Sequence, residues 1–195
     1  LAPFFDLFYI GEGETVYGQL LDAYKENKKH GGSRHDFLEA AAQISGIYVP
    51  AFYDVEYHED GTIKSMKPNN PNAKETITKE IVVDMDQYGY IEKPLVPFIK
   101  ATQDRVVLEI QRGCIRGCRF CQAGNVYRPL REKSLENLKE SAYKLLKSTG
   151  HEEISLSSLS SSDYTNLEGI VNFLMNSTAR ASMYPCLLCV SMPSP

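Results

Sequence analysis

The sequence, 195 residues long, has no apolar run approaching the roughly 20 residues that cross a bilayer. Its opening stretch LAPFFDLFYI contains Asp6 and has no basic segment ahead of it, so neither a membrane span nor a secretory leader is predicted. Excess basic charge is missing too: 21 Lys and Arg stand against 25 Asp and Glu, a formal net charge of -4, and no nucleic-acid partner is indicated. With 43% apolar side chains the chain also falls outside the disordered class. There is no internal repeat and no low-complexity tract beyond SLSSLSSSD. The histidines His30, His35, His58 and His151 form no pair at ligand spacing, and surface positions are expected for all four. Cysteine is scarce, with an odd total of 5, yet Cys114, Cys118 and Cys121 crowd into one short stretch. Without a leader, such clustering argues for metal before disulfide and for a reducing, cytoplasmic setting.

The chain opens at Leu1 rather than Met and stops directly after the apolar run CLLCVSMPSP, so a segment of something longer is expected. FFDLFYI reads as a strand and GEGE as a turn. A helix then carries Val16, Leu20, Leu21 and Tyr24 at helical spacing and ends in KENKKHGG, with basic residues before its closing glycines. A second helix is predicted from Asp36, as its cap, to Ser45, with Gly46 stopping it. From Ile47 to about Lys100 the pattern turns β-rich (YVPAFYDVEYH, TIKSM, ETITKEIVVDM), with a hairpin signal at Asp60-Gly61 and loops at KPNNPNAK and EKPLVPF. Three parts follow: residues 1–46, a connector over 47–100, and 101–195.

In the last part RVVLEI is a buried strand, and Ser134 caps a helix lined by Leu135, Leu138, Ala142, Leu145 and Leu146, with Gly150 just past its end. EEISLSSL is the next strand, Asp163 or Ser162 caps a helix carrying Leu167, Ile170, Val171 and Leu174, and LLCVSM supplies a third strand. Strand-helix-strand-helix-strand spacing predicts an α/β fold with a parallel sheet.

The string GCIRGCRFC sets thiols at i, i+4 and i+7 between that first strand and its helix. An iron-sulfur cube needs soft thiolates, and three of them leave one iron open for chemistry. Gly113 and Gly117 are expected to supply positive φ angles, and Arg112, Arg116 and Arg119 to offset the negative charge of cluster and thiolates. A zinc knuckle is the competing reading, but a closed zinc site needs four ligands and no nearby His or Cys supplies the fourth. Cys186 and Cys189 lie three apart in a strand-like run, where side chains point to opposite faces, and are read as core thiols.

C-x3-C-x2-C, with Phe120 just before the last cysteine, resembles the radical S-adenosylmethionine superfamily. The resemblance implies that Cys114, Cys118 and Cys121 hold three irons of a 4Fe-4S cluster and that the methionyl amine and carboxylate of S-adenosylmethionine bind the fourth. Reductive cleavage to a 5'-deoxyadenosyl radical would follow, drawing on a flavodoxin- or ferredoxin-like electron donor. It also sets the Phe120 backbone beside the adenine. The wider string LEIQRGCIRGCRFCQAGNVYRPLREKS, with GEGE upstream, is similar to a subgroup with an N-terminal cobalamin-binding-like domain. By that likeness residues 1–46 end such a domain and 101–195 begin a radical barrel with its first three strands, the connector lying between. The cobalt-ligand motif D-x-H-x-x-G is absent, so cobalamin itself has no support in the sequence.

Where the family grips the methionine amine, this chain has SLSSLSSSD. Ser158, Ser160 and Asp163 offer acceptors for an ammonium, and they serve equally as helix caps. GEGE invites a phosphate-loop reading, but Glu12 and Glu14 put carboxylates where a phosphate would sit and Val16 replaces the third glycine; turn and capping roles are expected instead. An iron-sulfur electron carrier or structural metal-binding module is the alternative to the enzyme.

Overall fold

Two short apolar segments far apart in sequence, Phe8–Tyr9 (β1) and Ile47–Tyr48 (β2), pair antiparallel, with Tyr9 opposite Ile47. The computed structural model describes residues 2–89, 91–99, 101–102 and 104–176, and the backbone of 180–182. It divides into two compact units, Leu1–Val82 and Val83–Pro195. Residues 47–82 thus pack with the first unit, and 83–99 belong with the second.

In the first unit, helix α1 spans Tyr17–Lys29 and helix α2 spans Arg34–Ala42. The α2 cap is Ser33, not Asp36. The Ser33 hydroxyl accepts the Asp36 N–H at 3.2 Å while the Asp36 carboxylate accepts the Ser33 N–H at 2.8 Å, a reciprocal pair that moves the cap from Asp36 to Ser33 and starts the helix correspondingly earlier. Leu20, Leu38, Ala41, Ala42, Ile47, Val49 and Phe52 are buried together as this unit's core. Strands Tyr53–Tyr57 (β3) and Ile63–Pro68 (β4) form the hairpin signalled by Asp60-Gly61. The Asp60 carboxylate accepts the Thr62 N–H at 2.9 Å, and Gly61 has φ +82°.

ETITKEIVVDM, read as a strand, makes only an isolated bridge, Glu80 to Gly11. Two backbone bonds make the bridge, Glu80 N–H to the Ile10 carbonyl and Glu12 N–H to the Glu80 carbonyl, both at 3.0 Å, and side chains add to them: Ser45 donates to the Glu80 carboxylate, and the Val82 N–H donates to the Glu12 carboxylate at 2.7 Å. GEGE is a turn, as expected, but its acids do not cap α1. The N-cap there is Val16, without a side-chain bond. Gly11 is needed for close approach, since a Cβ there would lie 2.2 Å from the Glu80 carbonyl oxygen.

The second unit is a mixed α/β layer. Strands Val106–Glu109 (β5), Glu153–Ser157 (β8) and Arg180–Ser182 (β9) form a parallel sheet in the order β5-β8-β9. Helix α4, Leu135–Thr149, connects the first two strands, and α5, Leu167–Asn176, the last two. A small antiparallel pair, Gln111–Arg112 (β6) with Arg131–Glu132 (β7), follows β5 and brackets helix α3, Ala123–Val126. Helix α4 is as predicted, with the Ser134 hydroxyl accepting the Asn137 N–H at 3.2 Å and Gly150 closing it at φ +72°.

Val106 pairs with Ile154 and Leu108 with Leu156, and these four pack with Leu138, Ala142, Leu145, Ile170 and Leu174 of the two helices. Burying such side chains contributes about 1.5–3 kcal/mol each. The alternate positions, Val107 with Ser155 and Glu109 with Ser157, fall on the other sheet face. The third described strand lies at 180–182; LLCVSM, with Cys186 and Cys189, falls outside the described residues.

Candidate cysteine-loop site

Pairing of β6 with β7 sets Arg112 opposite Arg131 and closes the chain between them into one loop. Gly113 makes the first turn of that loop. At φ +85° its bare α-carbon faces the carbonyl oxygens of Pro129 and Tyr127, which would lie 2.6 and 2.8 Å from an added Cβ. Arg131, buried beside it, donates to those same two oxygens at 2.9 and 3.2 Å. Gly117, in contrast, has no positive φ and open space around it, so the backbone freedom expected there is not used.

Within the loop the Arg116 N–H donates to Cys114 Sγ at 3.3 Å and the Cys121 N–H to the Cys118 carbonyl at 3.1 Å. Arg128 donates to the Gly124 carbonyl at 3.0 Å at the start of α3. All three cysteines are free thiols, Cys118 exposed and Cys114 and Cys121 half-buried. Phe120 is 76% exposed. Among the described residues no three His, Cys, Asp or Glu side chains are gathered closely enough to hold a metal ion, so the thiols share a loop without sharing a centre. The donor set itself fits an iron-sulfur cube: three unbonded soft ligands on one loop, reachable from solvent.

The turn after β8 lies against this loop. The Ser158 and Ser161 hydroxyls are 2.9 Å apart, and the Ser160 N–H donates to Ser158 Oγ at 3.1 Å. The Ser160 hydroxyl donates to the Asp163 carboxylate at 2.6 Å, while the Ser160 carbonyl accepts from the buried Gln111 amide at 2.6 Å. Asp163 also binds the Arg116 guanidinium through both of its oxygens, with Nε at 2.8 Å from Oδ2. Its side chain is only 10% exposed. Arg116, then Ser160, hold the Asp163 carboxyl down at about 2.

Neither Asp163 nor Ser162 caps the next helix. Asp163 ends a short 3-10 turn, Ser161–Asp163, and α5 starts only at Leu167. Two of the three arginines expected to face a cluster are already committed to carboxylates, Arg116 to Asp163 and Arg112 to Glu109 at 2.9 and 3.0 Å. His151 departs from its expected surface position, with 17% side-chain exposure beside Asp104. Gln111 and Arg131 were not anticipated. Their signal is faint: a polar residue directly after a buried strand, and an arginine two residues after a proline.

Two family profiles match this chain. "Radical SAM proteins, N-terminal" covers residues 1–50, and "Radical SAM superfamily" covers residues 108–191, the cysteine loop, strand β8 and the serine turn included. The chain belongs to the radical SAM superfamily. It is also similar to an uncharacterised protein of Methanocaldococcus jannaschii, 38% identical over 174 residues, which is 89% of this chain and 31% of that protein. The chain therefore spans well under half the length of this relative.

Proposed function

We propose that this chain is the cluster-binding portion of a radical S-adenosylmethionine enzyme, with Cys114, Cys118 and Cys121 as ligands to a 4Fe-4S cluster. The observation that carries this is the three free thiols on one loop, inside a segment matched by the superfamily. When bound, such a cluster supplies the electron that cleaves S-adenosylmethionine to methionine and a 5'-deoxyadenosyl radical. The chain's own residues bind and orient. The Phe120 backbone would lie beside the adenine, and Ser158, Ser160 and Asp163 form the acceptor-rich turn for the methionine ammonium. Hydrogen bonds linking the Ser158–Asp163 turn to the cysteine loop through Arg116 favour one shared site. The electron comes from a flavodoxin- or ferredoxin-like donor in the cytoplasm.

In the same reading residues 1–46 end an N-terminal cobalamin-binding-like domain, 47–100 connect it, and 101–195 open a barrel. The β5-β8-β9 order with its connecting helices supports the last of these. Cobalamin forms no part of the proposal.

Anaerobic reconstitution followed by iron and sulfide analysis tests the assignment. About four irons and four sulfides per chain are expected, and Cys118→Ala should lose them. Addition of S-adenosylmethionine should then change the EPR spectrum of the reduced cluster, because one iron is open. An unchanged spectrum on an intact cluster makes the chain an electron carrier, and one tightly held zinc makes it a structural metal module.

A further inference from the structure

The Arg116–Asp163 pair joins two residues 47 positions apart, one inside the cysteine loop and one beyond the next strand. Its surroundings form a connected series. Buried Gln111 of β6 holds the Ser160 carbonyl, the Ser160 hydroxyl holds Asp163, Asp163 holds the Arg116 side chain by two bonds, and the Arg116 backbone N–H reaches Cys114 Sγ. An N–H bonded to a thiolate lowers its charge density and fixes its direction, and partners that orient a metal's ligands matter nearly as much as the ligands. The fork of an arginine on a carboxylate fixes the angle of approach as well as the distance, which a lysine does not. At 10% exposure the Asp163 side chain is itself held by its turn, so it is the fixed end of the pair, and Arg116, 61% exposed, is the held end.

We propose that Asp163 is a positioning residue for the cluster: through Arg116 it anchors the middle of the cysteine loop and keeps the Arg116 N–H on Cys114 Sγ. The role is distinct from accepting an ammonium, since the contact is made by the chain's own guanidinium. It rests on the cluster reading above only for its benefit to iron, and it holds for the loop before any iron is bound. An unanchored loop samples more conformations, so the three thiols must be gathered at a larger entropic cost and released iron is recaptured less often.

The test uses the chain as it stands, with Asp163→Asn, Arg116→Gln and the double variant. Backbone hydrogen exchange of residues 114–121 is followed in the iron-free protein, and iron transfer to a chelator in the reconstituted protein. Each single variant is expected to lose exchange protection across the loop while keeping that of α4. Each should also release iron about tenfold faster, the lower end of what losing such a partner costs. The double variant should be no worse than either single, because both remove one interaction. Wild-type exchange in the Asp163→Asn loop, or losses that multiply in the double variant, would overturn the proposal. Asp163→Glu, which keeps the charge, should retain most of the protection, and full loss there with α4 intact also counts against anchoring. Should the wild type take up no iron, the functional assignment fails, and the exchange comparison alone decides the anchor.

Discussion

Gly113→Ala should unfold the loop base without touching a cysteine. The new methyl would sit at φ +85° in the left-handed region, 2.6 Å from the Pro129 carbonyl oxygen and 2.8 Å from that of Tyr127. An L side chain in that region costs about 1–2 kcal/mol. Contacts so short force a neighbour to move, and the neighbours here are backbone oxygens that Arg131 holds at 2.9 and 3.2 Å. Overpacking of this kind costs about 1–3 kcal/mol. Together the two effects remove about 2–5 kcal/mol, a large share of the roughly 5–15 kcal/mol of a whole domain. With a urea dependence of about 1–3 kcal/mol per molar, the midpoint should fall by roughly 2 M at the middle of these ranges.

Gly117→Ala is the matched control, four residues on in the same loop. Its Cβ meets nothing within 4 Å and its φ is not positive. That exchange should be neutral or stabilise by up to about 1 kcal/mol through the unfolded chain. Urea unfolding followed by circular dichroism reads both variants. A wild-type midpoint for Gly113→Ala, or an equal loss for Gly117→Ala, would refute the steric argument.

Leu138→Ala, deep in the core shared by α4 and the sheet, should cost about 2–5 kcal/mol in urea unfolding, at the upper end if the helix cannot settle into the cavity. Ser134→Ala removes the α4 cap and should cost about 1 kcal/mol, read as a thermal shift of a few degrees. Asp163, held at about 2 against an ordinary 3.8, stabilises the folded chain above the higher value and loses that contribution as pH falls toward the lower. The gap in unfolding free energy between wild type and Asp163→Asn should therefore be flat above about pH 5 and close between about pH 4 and pH 2; a gap that widens on acidification would contradict it.

Helix α4 was legible because its signals are local. Ser134, the leucine spacing and Gly150 lie within one stretch, and each acts on its own neighbours. The cysteine loop was legible for the same reason, its meaning lying in intervals of four and three. Local signals misled where two candidates stood close together. Ser33 and Asp36 make a reciprocal cap in which either residue has the chemistry of an N-cap, and Ser33 takes that position. Long-range partners were invisible. Nothing near Asp163 announces Arg116, yet that partner binds its carboxylate, while α5 starts four residues further on, at Leu167. Likewise ETITKEIVVDM has the composition of a strand but is held by Glu12 and Ser45, far away in sequence, so it never forms a ladder. Three thiols at these intervals suggest a ligand set, but the spacing alone does not set their side chains around one point, and among the described residues they are not so gathered.

The segment before β5 reads as connector, yet it runs along α4 like a splint. Asp86 accepts the Ser134 N–H at 3.0 Å at one end of the helix, and Glu92 takes Lys144 at 2.6 Å and Ser148 at 2.7 Å toward the other. Just before the helix, the buried Lys133 ammonium donates to the carbonyls of Met85 and Tyr88 at 2.9 and 2.7 Å. Anyone trimming the chain to a minimal piece around the cysteine loop meets this directly. A cut at residue 100, where composition changes, strips two carbonyls from a buried cation and a carboxylate from the helix start; a cut near Val82 leaves the splint in place and is the better boundary for expressing the second unit by itself.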